Sequence, residues 1–204
     1  MAIPRSFLNE DFNSTQPDDR LRWLNQPSLW WIDASSSTLV VEPDASTDFW
    51  RKTHYGFEAD TGHFLYATVP ADFVMVAKVK FLPVHQYDQA GLMVRVDGDC
   101  WIKTSVEYEL DEPPQLGAVV TNAGYSDWSV QDFDRARHDV WLRISRKSSD
   151  FIVEHSDNGQ TWKLLRMAHL NVSDEATADC GLYACSPKGA GFRAEFDLLR
   201  IEHP

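Results

Sequence analysis

Positive charge is scarce in this chain: 19 Lys and Arg stand against 31 Asp and Glu, a net charge of −12 at pH 7. Phosphate backbones and anionic bilayers reward basic patches, so neither nucleic acid nor membrane is an expected partner. Long apolar runs are missing too, and no stretch approaches the length of a bilayer span. The opening residues, MAIPRSFLNEDF, show no apolar h-region and no cleavage site, which points to a cytoplasmic protein. Cysteine is rare. Cys100, Cys180 and Cys185 form an odd set without C-x-x-C spacing, which reads as buried thiols of a reducing compartment. Cys185, in ACSPKGAG close to Lys188, retains a claim to thiolate reactivity, since a nearby cation favours the thiolate.

Motifs for nucleotide, serine-hydrolase or zinc chemistry are absent as well. There is no G-x-G-x-x-G, P-loop, G-x-S-x-G or H-E-x-x-H, so no cofactor and no metal are expected. The histidines are scattered, and His54 and His63 lack a ligand spacing. Asp97-Gly98-Asp99 is too short to supply a calcium shell and reads as a turn. Sustained helical periodicity is also wanting. Residues 18–26 are too short for a secure helix, and 162–170 fit either period.

What the chain does have is aromatic residues, at 12% including eight tryptophans, and alternation. Runs rich in Val, Ile, Phe, Tyr and Trp, separated by Gly, Pro, Asp and Asn, predict strands over 38–42, 63–69, 72–81, 89–97, 101–109, 116–121, 139–147, 150–155, 180–184 and 192–202. Many short strands at this spacing predict an all-β, two-sheet antiparallel sandwich rather than βαβ units. With 204 residues, no internal repeat and no linker-like tract, residues 1–204 read as one domain.

Two hairpins stand out. In DFIVEHSDNGQTW (150–162), Asn158-Gly159 between two strand-like runs is a strong short-range hairpin signal. Its D-N-G-Q-T-W run resembles the Asp-box hairpin of sialidases, a structural motif, with His155 at the usual Ser or Thr position. The second hairpin joins 89–97 to 101–109 through Gly98-Asp99-Cys100. That loop sets Arg95 opposite Lys103 and Gly91 opposite Glu107, and keeps Leu92, Val94 and Val96 on the same face as Ile102 and Val106. The other face carries Gln89, Arg95, Lys103, Glu107 and Glu109.

Two cations directly opposite each other destabilise a strand pair. Arg95 and Lys103 therefore imply an anion between them, and Glu107 is placed to supply it. The face reads either as a solvated salt-bridge lattice or as a recognition surface, with Gly91 leaving room for a ligand and Arg and Gln fixing hydroxyls or a carboxylate. The spacing Glu107-x-Glu109-x-Asp111 resembles the E-x-D-x-x-E strand of laminarinase-like glycoside hydrolases. It departs at the central acid, and it runs straight into Pro113-Pro114. Lys103 and Arg95 favour ionised carboxylates, so Glu107 and Glu109 are expected to be charged near neutral pH, which a general acid cannot be.

The strings DFWRKTHYGFEADTGHFLY, DQAGLMVRVDGDCWIKTSVEY, VVTNAGYSDWS and CSPKGAGFRAEFDLLRI resemble the domain-of-unknown-function family that includes the yeast "regulation of enolase" protein. The resemblance runs from about residue 38 onward. It implies a concanavalin A-like jelly roll, the fold of the lectin/glucanase superfamily, and no established activity. Carried over by position, it marks Gln89, Arg95, Trp101, Lys103, Glu107, Ser126, Asp127, Trp128 and Ser186 as ligand-binding candidates. The expected function is non-catalytic binding of a carbohydrate or small polyol. The alternatives are a glycoside hydrolase using Glu107 with Glu109 or another acid, and a regulatory module that contacts a protein partner of carbon metabolism.

Overall fold

The computed structural model of the protein describes residues 5–204, so the first four residues of the N-terminal stretch lie outside it. The strands in chain order are β1 (Arg5–Glu10), β2 (Arg22–Leu24), β3 (Leu29–Asp33), β4 (Thr38–Glu42), β5 (Phe49–Trp50), β6 (Ala59–Asp60), β7 (His63–Val69), β8 (Phe73–Leu82) and β9 (Gln89–Asp97). They continue with β10 (Cys100–Glu107), β11 (Gln115–Asn122), β12 (Tyr125–Asp132), β13 (Asp139–Lys147), β14 (Asp150–Ser156), β15 (Trp162–His169), β16 (Ala178–Cys185) and β17 (Arg193–His203). The described residues form no helix, and none of them makes a helix long and apolar enough to cross a membrane. The short 18–26 segment contributes strand β2 instead, and the ambiguous 162–170 segment becomes edge strand β15.

One sheet has the order β15-β14-β13-β8-β17-β4-β3, with β1 paired to β17; the other runs β12-β11-β10-β9-β16-β7-β2. All pairings between these strands are antiparallel. This is the expected all-β two-sheet sandwich of concanavalin A-like type. Alternation builds its core. Phe73, Met75, Ala77 and Val79 of β8 meet Leu92, Val94, Ile102 and Leu182 from the facing sheet. Each of these side chains larger than alanine contributes roughly 1.5–3 kcal/mol on burial. The outer face of β8 and its neighbours is solvated and ion-paired, as in Lys78–Asp197 at 2.7 Å and Arg143–Glu154 at 2.6 Å.

The seven-stranded sheet is different because its central strands β9, β10, β11 and β16 are buried on both faces. Its outer face carries Phe64, Met93, Trp101, Val119 and Tyr183, and Phe49 and Trp50 from the covering segment 43–62 pack onto them. Phe49 sits over Trp101 and Tyr183 with ring centroids 6.3 Å from each. That second apolar layer is what turns an outer sheet face into a walled site.

The β9–β10 register differs from the expected one by two residues. Trp101 lies opposite Arg95, Lys103 opposite Met93, Ser105 opposite Gly91 and Glu107 opposite Gln89. The turn is two residues long, closed by the Asp97 carboxylate accepting from Asp99 N at 2.8 Å, and a bulge follows at Cys100/Trp101. A shift of two preserves every side chain's face, so the apolar and polar assignments survive. The like-charge pair does not exist. Gly91 also has a different purpose from the expected one: a Cβ there would meet Thr104 O at 1.9 Å, so glycine serves the neighbouring strand rather than a ligand.

The Asn158-Gly159 hairpin forms as expected. Gly159 takes φ +70°. Ser156 Oγ accepts from Gly159 N at 3.0 Å, and Asn158 Oδ1 accepts from Thr161 N at 2.9 Å.

Candidate functional site

Between the covering segment and the lower end of β9 and β10 lies a cavity of about 370 Å³. Its walls are aromatic, formed by Trp50, Tyr55, Phe57, Tyr87 and Trp128. Its floor is polar and arises from alternation: Gln89 on β9 with Lys103 and Glu107 on β10 all project outward from the sheet. Asp48 enters from the covering segment and Glu109 from the chain just past β10, while Lys188 stands at the rim with its ammonium 5.3 Å from the Tyr87 ring centroid.

The floor is one hydrogen-bonded chain. Lys103 Nζ donates to Asp48 Oδ1 at 3.3 Å and to Gln89 Oε1 at 2.9 Å. Gln89 Oε1 also accepts from Tyr183 OH at 3.2 Å. Its Nε2 donates to Glu107 Oε2 at 2.7 Å and to Tyr87 O at 3.3 Å. Both donors and both acceptor positions of the carboxamide are thus used, so Gln89 positions its neighbours rather than offering itself to a ligand. Lys103 is backed by the faces of Tyr183 and Trp101, at 5.6 and 5.9 Å. One ammonium hydrogen and Glu107 Oε1 remain to meet a guest.

Burial pushes the Glu107 carboxyl up to about 8, against the pull of Lys103 in the opposite direction and with Asp48 and Glu109 adding to the rise. The expectation of an ionised Glu107 near neutral pH is therefore corrected. Alternation revealed that Lys103 lies on its face, but not that the covering segment removes water and brings a third carboxylate, Asp48. The Tyr87 hydroxyl is raised by the same burial and by the two glutamates.

A family model described as "Protein of unknown function (DUF1349)" matches residues 23–204. The chain belongs to that family. Regulation of enolase protein 1 of Saccharomyces cerevisiae is 37% identical to it over 182 residues, covering 89% of each sequence. A crystal structure described as a functionally unknown protein from Saccharomyces cerevisiae superposes with a TM-score of 0.83 at 34% identity, over 91% of this chain and 97% of that one. The GH43 protein BlXynB from Bacillus licheniformis superposes with a TM-score of 0.75 at 15% identity, over 95% of this chain and 38% of its own length. That likeness shows the fold alone.

The structure separates the family-marked positions of this DUF1349 chain. Gln89, Lys103, Glu107 and Trp128 come together at the cavity, and Glu109 joins them from beyond the strand end. Trp101 is fully buried beneath Phe49, with Nε1 donating to Gly98 O at 3.3 Å, so it underlies the site without reaching it. Arg95 shares the outward face but lies outside the cavity. It grips Asp60 through both terminal nitrogens at 2.7 and 2.8 Å.

The two serines hold the cover. Ser126 Oγ accepts from Arg51 N at 2.9 Å and is bonded to Thr121 Oγ1 at 2.8 Å. Ser186 donates its N–H to Thr47 Oγ1 at 3.0 Å, its carbonyl accepts from Ser46 N at 2.9 Å, and its hydroxyl bonds Asp88. Asp127 projects to the opposite side of β12, where it pairs with Arg166 at 3.2 Å. Strand alternation within SDW already separates Asp127 from Ser126 and Trp128, a signal that carry-over by position overlooked.

Sequence reasoning missed the covering segment, which supplies Asp48, Trp50, Tyr55 and Phe57 to the DUF1349 cavity. Its strands are two residues each, too short for any periodicity to show. The Cys185 thiol is buried under Phe49, and burial pushes it well above the ordinary range, so the expected buried-thiol reading holds and its residual claim to reactivity is not supported. All three cysteines are buried and free. Among the described residues no group of three or more metal-ligating side chains comes together.

Proposed function

We propose that this protein binds a small, neutral, polyhydroxylated ligand, a sugar ring or polyol, in the aromatic-walled cavity. The observation that carries this reading is the pairing of flat aromatic walls with a pre-bonded polar floor. Aromatic faces take the apolar face of a sugar ring, while a fixed ammonium hydrogen and a carboxyl oxygen meet its hydroxyls. Lys103 and Asp48 already neutralise one another, so the floor does not ask for a charged guest.

A second reading, glycoside hydrolysis, is favoured by one observation. Glu107 with a pKa of about 8 can hold the proton that a general acid must deliver near neutral pH. Against it, Glu107 is engaged by Gln89, and Glu109 is turned toward Gln86 Nε2 at 2.7 Å from a segment beyond the strand end. A regulatory role through a protein of carbon metabolism rests on the name of the yeast relative alone. A thermal-shift screen of neutral sugars, sugar acids and sugar phosphates tests the three together, because a ligand of the native state raises Tm. Neutral sugars are expected to stabilise, without turnover of aryl glycosides. Stabilisation only by acids or phosphates defeats the neutral-ligand reading, and turnover abolished in Glu107→Gln establishes the hydrolase.

A further inference from the structure

We propose that the natural ligand is a linear glycan chain, laid from the Glu107 cavity across Trp128 into a second depression beside the β11–β12 turn, an inference that rests on the sugar-pocket reading. That second depression has a volume of about 780 Å³, roughly twice the first. The two hollows are not independent. Trp50, Tyr55 and Trp128 line both, so a ring seated against Trp128 in the first hollow has a continuous aromatic surface leading into the second.

The distribution of exposed rings supports the same path independently. Among the described residues, the only aromatic side chains in the exposed class are Tyr55 (51%), Phe57 (45%) and Tyr125 (62%). Phe57 lines the first hollow, Tyr125 the second, and Tyr55 both. Elsewhere the aromatic residues are buried or half-buried, so exposed rings are confined to this one rim. Each of these rings has local contacts, Tyr55 with Trp50 and Phe57 and Tyr125 with Lys52, yet leaves about half its surface open, whereas a ligand built of successive sugar rings can set an apolar face on each in turn.

Backbone geometry puts the middle ring in place. Lys52, His54 and Gly56 take φ of 38°, 64° and 71°, left-handed conformations that two non-glycine residues adopt at a cost. They fold the segment into a tight arch, with Tyr55 packed on Trp50 at 5.1 Å between ring centroids. The electrostatics of the second hollow fit the same guest. Its arginine, Arg166, is paired with Asp127 and donates to Ser129 Oγ at 2.9 Å, leaving a polar lining suited to hydroxyls.

The test is a microarray of neutral glycans from monosaccharides to hexasaccharides, followed by calorimetry of the binders with the full chain and with Tyr125→Ala. Affinity is expected to climb with chain length. Tyr125→Ala should lower hexasaccharide affinity about three- to tenfold, with the loss shrinking as the chain shortens. Tyr125→Phe, which keeps the ring, should restore most of it. Binding that is equally tight for a monosaccharide and a hexasaccharide overturns the extended path while sparing the pocket. Absence of binding to every neutral glycan overturns both. Circular dichroism confirms that each variant is folded.

Discussion

The Lys103 ammonium donates to the Gln89 carboxamide oxygen at 2.9 Å, and both side chains are almost wholly enclosed. Everything else on the cavity floor hangs on that contact, because Gln89 passes the constraint on to Glu107 and Lys103 passes it on to Asp48. Removing one partner of a buried charged pair leaves the other uncompensated. Lys103→Met keeps the length of the side chain and deletes the charge, so it is expected to cost about 3 kcal/mol. The check is a urea midpoint at unchanged m-value. A loss below about 0.5 kcal/mol would mean that Asp48 regains water freely and that the floor is not fixed by this contact.

Glu107 makes stability depend on pH with a definite sign. Its folded pKa, about 8, lies above the ordinary 4.5, so the folded chain holds this proton more tightly than the unfolded one. The stabilisation is therefore complete below the unfolded value and is lost as pH rises through the folded one. The upper limit is about 5 kcal/mol, reduced by water at the cavity mouth. Glu107→Gln mimics the protonated form at every pH. Denaturation midpoints of the variant and the wild type should diverge in the variant's favour from about pH 5 to about pH 8. Parallel curves across that window would contradict the assignment.

Arg95→Ala should leave ligand affinity unchanged and cost about 1 kcal/mol of stability, the value of a well-formed bidentate pair at a partly exposed site. The arginine belongs to Asp60 and to the face of Phe49. A sugar-binding defect at normal stability in this variant would return Arg95 to the site.

Ser186→Ala should loosen the cover without removing any side chain that lines the cavity. The substitution removes the hydroxyl bonds to Asp88 and to Gly189 O and leaves the Asp88 carboxylate short of a buried donor, at a cost of about 1–3 kcal/mol. Limited proteolysis reads the effect as earlier cleavage within residues 43–62. Unchanged cleavage kinetics would show that Phe49 alone pins the segment.

Gly159→Ala should destabilise by about 1–2 kcal/mol, because a left-handed φ penalises any Cβ and this one would lie 3.0 Å from the Trp141 ring. Urea denaturation measures it. A neutral result would mean that the turn relaxes to another type.

Most of the sandwich was legible because its long strands place apolar residues facing the core at alternate positions, a period of two that persists in β9 and β10 even though their other face is covered as well. Leu92, Val94, Ile102 and Val106 fall on the core face whether the β9–β10 register is the expected one or the observed one, since a slip of two does not turn a strand over. The register itself was not legible. It depends on a bulge at Cys100/Trp101, which leaves no mark in the pattern of apolar residues. Short strands were missed for a related reason: β5 and β6 have two residues each, less than one period.

The candidate site divides along the same line. Alternation by itself put Gln89, Lys103 and Glu107 on one outward face, and strand geometry obliges that result. It could not tell Arg95, which Asp60 occupies, from Lys103, which the cavity keeps, because both stand on the same face of neighbouring strands. Nor could it assign Ser126 and Ser186 to holding a cover. The cover brings Asp48, Trp50, Tyr55 and Phe57 across from the segment before β7, and it is this long-range packing that dries Glu107 and raises its pKa. Sequence decided which side chains share a face; tertiary structure decided which of them meet water, because burial depends on what folds over a strand and not on the strand alone.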